Sequence, residues 1–158
     1  MGTRQGWGKV DSILHDLFGA KYERRSGNPG SYDCKSLFVE VMNRYGNEIS
    51  TPDIEVLAIE KVLAAQARGE YAYTEIDAAM IQAEIDSGKW EQIDNPEPGC
   101  AVTIALDPNK PDLIQHLGVY VGDGKFIHIM QKTGVIVTRI DDIFFKRKIR
   151  GYYRWKKS

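Results

Sequence analysis

His116-Leu117-Gly118-Val119-Tyr120-Val121-Gly122-Asp123-Gly124-Lys125-Phe126-Ile127-His128-Ile129-Met130 reads as two strands broken by a Gly-Asp-Gly turn. Alternate strand residues share a face. His116 therefore sits with Gly118 and Tyr120, and His128 with Phe126 and Met130. A three-residue loop, Gly122 to Gly124, would pair Val121 with Lys125, Gly118 with His128 and His116 with Met130. The two imidazoles then lie diagonally on one face, with Gly118 leaving room beside His128. An even-length loop would send them to opposite faces. The hairpin thus decides both the sheet and whether a histidine pair exists.

Working outward, Cys100–Leu106, Ile114–Val121, Lys125–Gln131, Val135–Ile140 and Lys148–Trp155 are short and rich in branched and aromatic residues, which predicts an antiparallel meander of about five strands. The chain before them is helical in pattern. Val10, Ile13, Leu14, Leu17 and Phe18 predict a helix over Lys9–Phe18, stopped by Gly19, with His15 off the stripe on the surface. Residues 23–31 form a loop. Asp33 is the N-cap of a second helix with Leu37, Phe38, Val41, Met42 and Tyr45 on its apolar face and Gly46 at its end. Thr51-Pro52 starts a third helix, running to about Arg68 on Val56, Ile59, Val62 and Leu63. A capping box at Thr74 and Asp77 starts a fourth, ending near Ser87-Gly88. Helices first and strands second predict an α+β fold, with N-terminal helices packed on the sheet and residues 51–90 as a helical insertion, all in one domain over 1–158.

Cys34 falls in the first turn of the second helix, where unpaired N–H groups and the dipole favour a thiolate. A nucleophile, a base and an orienter then follow as Cys34, His116 and His128. The other cysteine, Cys100, begins a strand with no such partner, and two cysteines make no disulfide framework. With 158 residues, 42% apolar, 27% charged and a net charge of -1, the chain has no global field for nucleic acid or an anionic membrane. The basic stretch from Lys146 to Lys157 reads as a solvated strand edge. No apolar run approaches the ~18 residues of a membrane span. The start is polar and shows no secretory signal.

At these residues the sequence resembles the NlpC family of papain-like bacterial cell-wall cysteine peptidases. The family's Asp-Cys-Ser-Gly-Leu-Val is similar to Asp33-Cys34-Lys35-Ser36-Leu37-Phe38, and its His-Val-Gly-Ile-Tyr-Ile-Gly, followed by Ile-His, to His116–Gly122 and Ile127-His128. Pro98-Gly99 matches the turn into the first strand, with Cys100 where Asp is usual. Gly19-Ala20-Lys21-Tyr22 resembles a segment whose tyrosine lines the site.

The resemblance implies a papain-like minimal core and hydrolysis of peptidoglycan stem peptides, typically between D-γ-glutamate and the diamino acid. It implies no cofactor and no metal. Tyr22, Asp33 and the residue after the cysteine would contact substrate. Lys35 replaces the family's serine there, and a lysine pointing into the cleft would disfavour a free amino terminus. Ser36 replaces a glycine, which bears on packing in the first helical turn. The closing segment, Gly134 through Arg154, looks most like the phage-tail and prophage branch. That implies synthesis in the cytoplasm, delivery by a virion tail and other tail proteins as partners. Two rival readings stand beside it: a zinc-dependent hydrolase that uses the same residues, Cys34, His116 and His128, as ligands, and a non-catalytic peptidoglycan-binding tail component.

Overall fold

Six strands, one more than the periodicity predicts, form a single antiparallel sheet in the structure, a computed structural model that describes residues 10, 12–23, 30–49, 64, 67–68 and 73–156. The expected helix from Thr51-Pro52 to Arg68 falls almost wholly outside the described residues, as do the side chains of the Thr74/Asp77 capping box and most of the polar start.

Two short strands, β1 (Lys21–Tyr22) and β2 (Ser31–Tyr32), pair in parallel ahead of helix α1 (Cys34–Arg44). Helix α2 (Tyr73–Asp86) leads into β3 (Trp90–Ile93), β4 (Ala101–Ile104), β5 (His116–Gly122), β6 (Lys125–Met130), β7 (Gly134–Arg139) and β8 (Ile149–Trp155). The sheet order is β3-β8-β4-β5-β6-β7. The added strand, β3, begins at Trp90, where the expected helical insertion ends. It is a four-residue edge strand, with Trp90 buried and Glu91 and Gln92 exposed, too short to announce a period. The meander is also interrupted. β8 leaves β7 through residues 140–148 and pairs with β4 on the far side of the sheet.

The expected first helix is shorter and tighter than predicted: a 3-10 helix over Ser12–Leu17. Leu14 and Leu17, three apart, are buried, which matches three residues per turn, while Ile13 is 43% exposed. Gly19 follows with φ 74°.

Helix α1 forms where expected. The Asp33 side chain accepts from the Ser36 backbone N–H at 2.8 Å, and the Ser36 hydroxyl accepts from the Asp33 N–H at 2.9 Å, a reciprocal capping box. Leu37, Phe38, Val41 and Met42 are buried against Val119, Ile127, Ile129 and Val135 of the sheet. On the opposite sheet face, Val102, Ile104 and Phe126 pack against Phe145 from the β7–β8 connection. That second face carries both hairpin histidines.

The hairpin reaches the expected register by an unexpected route. Gly122 pairs with Lys125, so the loop is only Asp123-Gly124, both at positive φ (54° and 72°) as a type I′ turn requires. A shift between Tyr120 and Gly122 leaves Val121 as an extra residue, and beyond it Tyr120 pairs with Phe126 and Val119 with Ile127. This β-bulge restores the parity that the two-residue loop would have inverted.

Candidate active site

Cys34 is the first residue of α1, half-buried, with its position set by the Asp33–Ser36 cap just before it. It lines an open cleft of about 810 Å³ together with Tyr22, His116, Met130, Lys132 and Phe144. Tyr22 is held there by the chain before it. The Val135 N–H donates to the Ala20 carbonyl at 2.9 Å, and Gly134 must be glycine because a Cβ there would come within 2.3 Å of the Ala20 oxygen.

The histidines meet on one face. His116 Nε2 and His128 Nδ1 are 2.9 Å apart, and the rings lie edge to face at 5.1 Å. His128 Nε2 reaches the Thr138 hydroxyl on β7 at 2.8 Å. His128 is fully buried, packed on Phe126 at 4.5 Å and edge to face with Phe145 at 5.0 Å. The place beside His128 that Gly118 leaves open is filled by Phe126. A Cβ at Gly118 would sit 2.7 Å from that ring and 3.0 Å from the Ile127 carbonyl.

Burial controls the electrostatics. It pushes His116 down to about 4 and His128 well below the usual histidine range, the latter reinforced by the neighbouring His116 charge. Both rings are therefore neutral near neutral pH, and a neutral imidazole can accept a proton. Cys100 is the contrast. It is 1% exposed, and burial pushes its thiol up to about 11.

The remaining expected site residues are placed differently. Asp33 is buried, with one carboxylate oxygen capping α1. Lys35 does not line the cleft with Cys34. It lines a separate apolar cavity with Phe38, Ile81, Trp90, Leu117 and Tyr153, on the α1 face of the sheet. His15 bonds the Val10 carbonyl at 2.8 Å. The arrangement gives the zinc rival no support. The two facing ring nitrogens use their lone pair and proton on each other at 2.9 Å, and no three metal-ligating side chains converge among the described residues.

Sequence reasoning missed Thr138, Phe144 and Phe145. Thr138 was reachable. His128 pairs with Ile136 across a three-residue β6–β7 turn, and Thr138, two residues on, shares their face. Phe144 and Phe145 lie in an irregular connection with no period to read.

A model of the NlpC/P60 family matches residues 19–154. Among solved structures, NlpC2 from Trichomonas vaginalis aligns over 98% of this chain and 51% of its own length, at 19% identity and a TM-score of 0.60. NlpC1 from the same organism aligns over 90% of this chain and 42% of its own, at 21% identity and 0.55. An NlpC/P60 family protein from Bacillus cereus aligns over 92% and 41%, at 16% identity and 0.57. The chain thus spans about half or less of the length of these structures, whose likeness is one of fold. No curated protein matches. The family match runs from the Gly19–Tyr22 segment through Cys34 and both histidines to the last strand, and on it the chain belongs to the NlpC/P60 family.

Proposed function

We propose that this chain is a cysteine peptidase that hydrolyses peptide bonds in peptidoglycan stem peptides. One observation carries the reading: Cys34, at the start of a capped helix, shares an open cleft with His116, whose Nε2 is held by His128 at 2.9 Å.

With Nε2 engaged, His116 has Nδ1 left to take the Cys34 proton. The sulfur attacks the scissile carbonyl, and the positive end of α1 stabilises the negative charge that develops on it as its proton leaves. The tetrahedral intermediate collapses as His116 returns the proton to the leaving amine, leaving a thioester on Cys34. Water, deprotonated by His116, attacks the thioester. The acid departs, and Cys34 regains its proton. Because burial disfavours the imidazolium, the resting pair is thiol plus neutral imidazole, and proton transfer accompanies attack.

The bond between D-γ-glutamate and the diamino acid is the proposed target, on the family motifs around Cys34 and His116. Delivery by a phage tail, in contact with other tail proteins, is proposed on the resemblance of the closing segment alone.

The test is to incubate defined muropeptides and free stem peptides with wild type and Cys34→Ala and to weigh the products. Wild type should yield two fragments whose masses sum to substrate plus one water, and Cys34→Ala none. Intact substrates from both proteins would overturn the peptidase reading and favour a non-catalytic binding role.

A further inference from the structure

His128 makes two contacts through its ring nitrogens, and its neutral form carries one proton. His116 can serve as base through Nδ1 only if its own proton sits on Nε2. That N–H must then donate to a bare His128 Nδ1 across the 2.9 Å contact. The single His128 proton is thereby forced onto Nε2, inside the protein, where it needs an acceptor. At 2.8 Å, the Thr138 hydroxyl is that acceptor. Phe126 and Phe145 pack on the same ring and offer it none.

We propose that Thr138 is a positioning residue, which holds His128 in the Nε2–H tautomer and through it keeps His116 Nδ1 able to accept the Cys34 proton. The proposal rests on the reading of His116 as base. Removing the hydroxyl leaves a buried N–H without a partner. The His128 proton then moves to Nδ1, and His116 responds by carrying its own proton on Nδ1, which silences it as a base. No bond to substrate is involved, so Thr138 acts only through the two rings.

The tautomers can be read without any substrate. In protein labelled with nitrogen-15 at histidine, long-range proton–nitrogen correlation spectra distinguish Nδ1–H from Nε2–H rings. Wild type near neutral pH should show His116 and His128 both as Nε2–H. Thr138→Val, which keeps the shape and loses the hydroxyl, should move His128 to Nδ1–H, and Thr138→Ser should restore the wild-type pattern. Cys34 alkylation by iodoacetamide should slow at least about tenfold in Thr138→Val and recover in Thr138→Ser. A wild-type His128 found as Nδ1–H overturns the proposal with no variant needed. So does a Thr138→Val protein with unchanged tautomer and alkylation rate. Failure of the base reading looks different: His116→Ala would then leave Cys34 alkylation unchanged, whatever the Thr138 variants do.

Discussion

Acidification should unfold this protein more readily than a variant without His116, and burial sets the size of the effect. His116 is 4% exposed, and burial pulls it down to about 4 from an ordinary 6.5. The folded state is therefore the poorer proton binder. Its stability from this group is full above pH 6.5, is lost as pH falls below that value, and stops falling near pH 4, where folded His116 also protonates. For His116 alone the loss between pH 7 and pH 5 comes to about 2 kcal/mol, taking 6.5 for the unfolded chain and 4 for the folded one. His128 shifts in the same direction and adds to it. The assay is urea unfolding followed by tryptophan fluorescence across this range, with the Trp90–Trp155 contact at 4.9 Å as reporter. His116→Gln is the comparison, since it offers His128 a polar partner and does not titrate. Carboxylates contribute alike to both proteins and cancel in the difference. Wild type should lose about 2 kcal/mol more than His116→Gln between pH 7 and pH 5. Equal losses would mean that the fold accepts a charged His116. The neutral, proton-accepting ring that the mechanism needs would then be refuted.

Iodoacetamide should label Cys34 far faster than Cys100 near neutral pH, read by peptide mass, because Cys34 lines the cleft while burial pushes the Cys100 thiol up to about 11. Comparable rates would count against Cys34 as the nucleophile. Asp33→Ala should cost about 1 kcal/mol of stability in denaturant unfolding through loss of the α1 cap, and Ser36→Gly should lose part of the same box. Gly118→Ala should destabilise by roughly 1–3 kcal/mol and slow Cys34 alkylation, because its methyl drives Phe126 against His128. A neutral Gly118→Ala would show that the ring stack yields freely. Lys35→Ser should leave the ratio of free-peptide to muropeptide cleavage unchanged, since Lys35 lines the apolar cavity on the other face of the sheet. A changed ratio would return Lys35 to substrate recognition.

What could be read from the sequence follows from how local each determinant is. The α1 cap and its apolar stripe are set within a dozen residues, and the helix forms where Asp33, Leu37, Phe38, Val41 and Met42 place it. Ser36, out of place against the family's glycine, is explained locally too, as the second half of the capping box. The first helix was misread because Ile13 extended an apparent α-helical stripe that a 3-10 turn built on Leu14 and Leu17 does not use. β3 was missed because four residues at a sheet edge derive their strand character from β8, some 60 positions later.

The histidine pair shows how a correct register can rest on a wrong loop. Counting three loop residues and counting two loop residues plus one bulged residue give the same pairing from Tyr120 backwards, so the shared face alone could not tell them apart. The difference matters for what holds the site. Asp-Gly at positive φ fixes the turn, and Val121, the unpaired residue, fixes the parity that joins His116 to His128. The histidine pairing depends on a bulge at the hairpin tip, five residues from His116 along β5. Its correctness then propagates through Ile136 and Thr138 on the next strand, which is why the acceptor for His128 lies outside every motif the sequence displays.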